Sequence, residues 1–243
     1  MVLPSRQNPP ARRLFVALDT PDVARATALA RALAPVGCGI KLGLEFFSAQ
    51  GPGGVRAVVD ASPAAPLFLD LKFHDIPNTV ASAVRSALPL KPFVLNVHAG
   101  GGSAMMTAAA EAARDAAPRP LVIAVTVLTS LDEGDLRSVG QNGPAADQVV
   151  RLARLARESH LDGVVCSALE AASLRAALGP GFALIVPGIR PAGSTVGDQK
   201  RVMGPKQAIE AGADFLVVGR PITEAGDPVV AARAIVADIA AAG

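Results

Sequence analysis

Residues 66–80 read "PLFLDLKFHDIPNTV". The stretch starts as an apolar run, turns charged at Asp70, Lys72 and Asp75, and then offers Pro77 ahead of a helical pattern. A run with no polar alternation belongs to a strand covered on both faces, as in a parallel sheet. Proline suits a first helical turn, where its missing N–H costs nothing. The stretch therefore predicts a strand over 66–72, passing directly into a helix from about Ile76 to Leu88. The charges fall at the carboxyl end of the strand. Positions i and i+2 of a strand share a face, so Asp70 and Lys72 are expected to point the same way, with Leu71 turned to the other side.

The same strand-then-helix unit recurs along the chain. "LFVAL" (14–18) ends in Asp19 and leads into "TPDVARATALARALA", a helix that Asp22 or Thr20 would cap. "CGIKLG" (38–43) and "FVLNVH" (93–98) are further strands, the latter followed by a glycine-rich turn and an Ala-rich helix. "LVIAVTVL" (121–128) precedes a helix from Ala145 to Ser159. "DGVVCS" (162–167), "ALIVPGI" (183–189) and "DFLVVG" (214–219) complete the set, each with a helical segment after it. Eight strands in 243 residues give about 30 residues per unit, the density of a (β/α)8 barrel. A doubly wound open sheet shares the alternation, but the count of eight and the lack of G-x-G-x-x-G after the first strand favour the barrel. The expected fold class is α/β, a single-domain (β/α)8 TIM barrel over 13–243, preceded by a flexible tail over 1–12.

Composition narrows the function. The net charge is +2 with no basic block, and aromatics are confined to eight Phe. Nucleic-acid binding needs a dense cationic face with stacking rings, so no nucleic acid is expected as a partner. Cys38 and Cys166 sit in apolar runs without metal-ligand spacing and read as buried thiols. His74, His98 and His160 show no metal-triad spacing and read as structural, so no metal is expected. No apolar run reaches membrane-spanning length and "MVLPSRQNPPARR" lacks an apolar core, so a cytoplasmic protein without membrane contact is expected.

Polar residues collect at the carboxyl ends of the strands: Asp19, Lys41, Asp70 with Lys72, Asn96 with His98, Thr126 with Thr129 and Ser130, Arg190, and Gly219 with Arg220. In a barrel these ends meet at one mouth, where active sites are built. The opposite ends show no comparable cluster. Asp19, Lys41, Asp70 and Lys72 are expected to form one network, with Asp75 close enough to fold back into it. A purely structural ion network is the competing reading. An imine-forming lysine must be neutral. Lys72 has acidic neighbours that favour its charged form, so it reads as a cation and proton donor beside a carbon gaining negative charge. The loops after the seventh and eighth strands often hold phosphate in barrels. Here Gly219 permits close backbone approach, Arg220 offers a bidentate fork, and the polar segment with Arg190 and Gln199 reads as a lid or as an ordinary surface loop.

Together "DLKFHDIPNTV" (70–80), "VLTS" (127–130), "PGIRPAG" and "GDQKR" (187–193 and 197–201) and "VVGRPIT…DP" (217–228) resemble the orotidine 5′-phosphate decarboxylase family, bacterial type. The resemblance runs from "LFVALD" to the last helix. The tail before Arg13 and the segment 132–143 match nothing usable. It implies decarboxylation of orotidine 5′-monophosphate to uridine 5′-monophosphate, the last step of pyrimidine synthesis, with no metal and no organic cofactor. Lys72 would donate a proton to C6, Asp70 would lie against the departing carboxylate, and Lys41 and Asp75 would complete the charge array. Asp19 and Lys41 would hold ribose hydroxyls, and Thr129 and Ser130 would read the base. Gln199, Gly219 and Arg220 would hold phosphate, with Arg190 beside them; Ile76 and Pro187 would also line the substrate. The partner expected is a second copy of the chain, a homodimer contributing Asp75 and Thr79 across its interface. A metal-dependent sugar-phosphate synthase or epimerase with the same D-x-K-x-x-D pattern, and a non-catalytic phosphate-ligand barrel, are the alternatives.

Overall fold

The computed structural model describes residues 8–191 and 203–242. Its eight strands are β1 (Leu14–Ala17), β2 (Gly39–Gly43), β3 (Leu67–Phe73), β4 (Val94–His98), β5 (Leu121–Val125), β6 (Gly163–Val165), β7 (Ala183–Val186) and β8 (Phe215–Val218). They pair in sequence order, all parallel, and close into a barrel by pairing β1 with β8. The helices described between and after them are α1 (Val23–Leu33), α2 (Leu44–Ala61), α3 (Pro77–Ala87), α4 (Gly102–Ala112), α5 (Glu133–Ser138), α6 (Ala145–Glu158), α7 (Ala171–Leu178), α8 (Pro205–Glu210), α9 (Arg220–Thr223) and α10 (Pro228–Ala240). The expected (β/α)8 barrel is thus observed.

The sequence reading names no helix at α2, α5 or the four-residue α9. α2 carries Q-G-P-G-G across its middle, and Gly51 there has φ +57, so the helical period is interrupted where Pro52 restarts it. α5 lies in the 132–143 segment and is only six residues long. It holds because Asp132 and Asp135 form a reciprocal capping box. At α1 the cap is Asp22, whose side chain accepts from the amides of Ala24 and Arg25.

Strand alternation sorts the apolar side chains into two layers. Leu14, Val16, Leu69, Leu95 and Val122 face the helices. Phe15, Ala17, Phe68, Val94, Ile123, Ile185, Phe215 and Val217 fill the barrel interior. Phe15 lies at the centre of this filling, with ring centroids 5.8 Å from Phe68, 6.2 Å from Phe93 and 5.7 Å from Phe215. These rings form an apolar floor and leave the carboxyl strand ends to build the site.

The amino-terminal ends of the strands correct the expectation that they carry no polar cluster. Asp214, fully buried just before β8, accepts the Leu184 amide at 2.8 Å and pairs with Arg175. Asp162, just before β6, accepts the Val122 amide at 2.8 Å and pairs with Arg119 at 3.0 Å. Each acid satisfies an amide at the start of a neighbouring strand, a structural task that single residues in the sequence do not announce. Arg13 joins the same end through Nε to the Asp214 carbonyl, 3.0 Å, and Nη2 to the Ala213 carbonyl, 2.9 Å. Of the expected tail, 1–7 lie outside the described residues. Pro10–Arg13 form a 3-10 turn, and Arg12 donates to the Ala64 carbonyl at 2.7 Å.

Gly39 leaves the space that Phe15 occupies. A methyl group there would sit 2.5 Å from Phe15 Cε1 and 3.0 Å from the Pro66 carbonyl oxygen. Gly39→Ala is therefore expected to destabilise the fold by about 1–3 kcal/mol, the usual range for overpacking a filled core. A urea titration whose midpoint stayed at the wild-type value would contradict this packing account.

Candidate active site

Two strands and one loop bring four charged groups into a single chain of contacts. Lys41 Nζ on β2 lies 3.1 Å from Asp19 Oδ1 in the loop after β1 and 3.2 Å from Asp70 Oδ2 on β3. Lys72 Nζ lies 2.6 Å from Asp70 Oδ1. Lys41 and Asp70 are buried, Lys72 is partly open and Asp19 is largely exposed. Burial pulls the Lys41 ammonium down, but the facing carboxylates of Asp70 and Asp19 outweigh it and hold the group above its ordinary range. Burial pushes the Asp70 carboxyl up, and the ammonium groups of Lys41 and Lys72 with hydrogen bonds from Lys72 and Asn96 outweigh that, so it is held low.

The juxtaposition of Asp70 and Lys72 does not come from regular alternation. The β3–β4 register runs Leu69↔Leu95 and then Phe73↔Val97, so β3 bulges between them. Lys72 has φ +49, a left-handed conformation that costs a non-glycine residue about 1–3 kcal/mol. Its amide donates to Asn96 Oδ1 at 2.8 Å, and Asn96 Nδ2 donates to Asp70 Oδ1 at 2.7 Å. Leu71 packs into the helix-facing layer, as expected.

Lys41, Asp70 and Lys72 line a cleft of about 630 Å³, open to solvent, whose remaining lining includes Phe68, Val125, Thr129, Val165, Pro187 and Val217. One half of the mouth, from β2 and β3, is charged. The other half, from β5 through β8, is apolar. Such a cleft suits a flat, partly apolar ring that carries its charge on one side. Gly219 adjoins it: a Cβ there would lie 3.5 Å from Asp19 Oδ2. Arg220 follows at the start of α9.

The other expected site residues are placed apart from this cluster or outside the described region. Asp75 does not fold back within the chain. It is exposed, and its Oδ1 accepts the Ile76 amide at 2.6 Å ahead of α3. Ile76 and Thr79 are exposed on the same segment, and Ser130 is exposed beside Thr129. Arg190 lines a neighbouring hollow with Met203, Gly204 and Gln207, and its amide donates to the Met203 carbonyl at 3.1 Å. Gln199 lies outside the described residues. Asn96, fully buried, joins the network although the sequence reading names it only as a polar strand end; an amide inside the apolar run of β4, ahead of His98, was the available signal.

Two of the three histidines pack on each other. His74 and His98 stack with centroids 5.2 Å apart, and His98 Nδ1 accepts the Gly100 amide at 3.2 Å. Burial, with the charges of His74 and Lys72, holds His98 below its ordinary range. Cys38 and Cys166 are free and buried, and burial pushes the Cys38 thiol to about 11. Among the described residues no His, Cys, Asp or Glu group has metal-holding geometry, and no helix is long and apolar enough to cross a membrane.

The fold and this mouth define a (β/α)8 barrel whose site is assembled from charged groups on adjacent strand ends. The chain belongs to the family described as "Orotidine 5′-phosphate decarboxylase / HUMPS family", which matches residues 12–235. It is 58% identical over 238 residues to an orotidine 5′-phosphate decarboxylase of Rhodospirillum rubrum, covering 96% of this chain and 94% of the relative. It is 53% identical to that of Moorella thermoacetica, covering 93% and 92%. Among solved structures, orotidine 5′-phosphate decarboxylase from Lactobacillus acidophilus superposes with a TM-score of 0.83 at 36% identity, over 94% of this chain and 99% of that one.

The lowered Asp70 has a stability consequence. A carboxylate whose folded-state affinity for protons is depressed stabilises the fold above its unfolded value, ~3.9, and that contribution is lost as pH falls through the folded value. The raised Lys41 contributes below ~10.4 and loses its contribution as pH rises beyond that. The urea midpoint of Asp70→Asn is therefore expected to fall well below wild type at pH 7, and the gap to narrow on acidification below about pH 4. A gap constant from pH 7 to pH 3 would show that the Asp70 charge does not stabilise the fold.

Proposed function

We propose that this barrel decarboxylates orotidine 5′-monophosphate to uridine 5′-monophosphate and CO2, the final step of pyrimidine synthesis. Family membership supports the reaction, and the Asp19–Lys41–Asp70–Lys72 chain at the mouth is the observation that carries the mechanism. The C6–carboxylate bond breaks and its electron pair stays on C6. The pyrimidine ring offers that pair no electron sink, so fixed charges must stabilise it. Lys72 sits at the open end of the chain of charges, and its ammonium donates a proton to C6 and is reprotonated by solvent. Asp70 holds Lys72 in place and lies against the departing carboxylate.

Enzymes lower barriers by ~8–23 kcal/mol, more than one charge contact supplies. Binding energy from the remote phosphate provides the rest by holding the ring in register. Asp19 and Lys41 take the ribose hydroxyls; Thr129 and Ser130 read the base; Pro187 forms the apolar wall. Gln199, Gly219 and Arg220 hold the phosphate, with Arg190 beside them. Asp75, Ile76 and Thr79, exposed in a single chain, enter the site of a second copy in a homodimer. The enzyme is cytoplasmic, and no step is assigned to a metal or an organic cofactor.

The deciding experiment follows the absorbance of orotidine 5′-monophosphate on addition of purified protein, with and without EDTA. Conversion unaffected by EDTA is expected. Loss on chelation and recovery with magnesium would favour a metal-dependent sugar-phosphate enzyme, and binding without turnover a non-catalytic barrel. Lys72→Ala is expected to abolish turnover while the circular dichroism spectrum stays native; retained turnover would remove Lys72 from the mechanism. Arg220→Ala should weaken uridine 5′-monophosphate binding by about 1.5–3 kcal/mol, the worth of a charged hydrogen bond. Unchanged affinity in a calorimetric titration would refute the phosphate assignment.

A further inference from the structure

The proposed mechanism gives Asn96 no part, yet Asn96 touches both residues on which that mechanism turns. It is fully buried on β4 and does not line the cleft. Its carbonyl oxygen accepts the Lys72 amide at 2.8 Å and its Nδ2 donates to Asp70 Oδ1 at 2.7 Å. The first contact falls inside the bulge between Leu69↔Leu95 and Phe73↔Val97, where the regular backbone ladder of β3 and β4 is interrupted. There the Asn96 side chain stands in for a backbone acceptor. The second contact fills a lone pair of the oxygen that also receives Lys72 Nζ at 2.6 Å, while the other carboxylate oxygen receives Lys41.

We propose that Asn96 is a positioning residue: it locks Lys72 in its left-handed backbone conformation and at the same time fixes the carboxylate that aims the Lys72 ammonium. This inference rests on the decarboxylase reading for its kinetic consequence, though not for its structural one. A primary amide suits the task because it presents an acceptor and donors from one rigid group. An ionised aspartate keeps the acceptor but has no donor for Asp70, and alanine has neither. Buried out of the cleft, Asn96 makes no contact with bound substrate, so its loss should spare ground-state binding. It should act on the reacting geometry, where small displacements are costly.

The test compares wild type, Asn96→Ala and Asn96→Asp. In Asn96→Ala, kcat is expected to fall by about 100-fold with KM changed by less than about threefold. In Asn96→Asp, the introduced carboxyl faces Asp70 on β3, which is itself held by Lys41 and Lys72. Two carboxylates so placed raise the proton affinity of the pair, and only the protonated form can donate to Asp70. Its kcat/KM should therefore gain a limb that falls as pH rises, one absent from wild type. A kcat for Asn96→Ala within about threefold of wild type would overturn the proposal. So would a folded Asn96→Asp whose pH profile parallels wild type. A crystal structure of Asn96→Ala, which lacks the acceptor, supplies a readout independent of turnover: Lys72 is expected to leave positive φ, and finding it unmoved, with Nζ still on Asp70, overturns the positioning role. If wild type itself failed to convert the nucleotide, the decarboxylase reading would fail and this structural comparison alone would decide for or against Asn96.

Discussion

One buried carboxylate organises the mouth of this barrel. Asp70 could not remain ionised among apolar side chains without compensation, since the desolvation of an unpaired buried charge is among the largest costs in a protein. It is compensated by Lys41 on one oxygen and by Lys72 and Asn96 on the other. Lys41 in turn is held by Asp19. The formal charges of the four ionic groups cancel, so this network is strongly polar without a net charge of its own. Removing any member takes a partner from a neighbour, which makes the network a single unit and not a set of separable contacts.

The barrel divides its labour by height. At the amino-terminal strand ends, Asp162 and Asp214 satisfy strand amides and pair with arginines, which is work for stability. In the middle, Phe15, Phe68, Phe93 and Phe215 fill the interior. At the carboxyl ends the charged array of β2 and β3 faces an apolar wall from β5 to β8. Water is displaced from the apolar side of such a cleft more readily than from the charged side. Charges that face an apolar wall across a cleft are less screened than charges on an open surface.

Much of this was legible in residues 66–80 and their repeats. Continuous apolar strands, their number and the side of each that ends in charge all have local signatures, and they specify a barrel with its site at one end. The ionic partners of Asp70 were legible for the same reason: each is a lone charge in the apolar run of a strand, Lys41 on β2 and Lys72 on β3 itself. What local pattern could not give was the role of Asp162 and Asp214, which act on a neighbouring strand distant in sequence. Nor could it give α2, whose period is broken by Gly51 and Pro52. Asp75 shows the same limit differently. Proximity in sequence suggested a loop folding back, but its carboxylate accepts the next amide and the residue is exposed ahead of α3.

The i, i+2 rule placed Asp70 and Lys72 together, yet the route differs from the rule. A regular strand would set the pair by pleat alone and leave the ammonium free to swing on its four-carbon stem. The bulge instead puts Lys72 at φ +49, a conformation uncommon for a non-glycine residue and unusual inside a strand. Such strain persists only where the surroundings over-determine it, and here they do so through two hydrogen bonds from one buried amide. A backbone held this firmly restricts where the lysine Cα can be, and the ion pair restricts where Nζ can be. With both ends of a flexible side chain fixed before substrate arrives, little ordering is left to be done in the transition state. That is the physical condition under which a single ammonium can act as a directed acid.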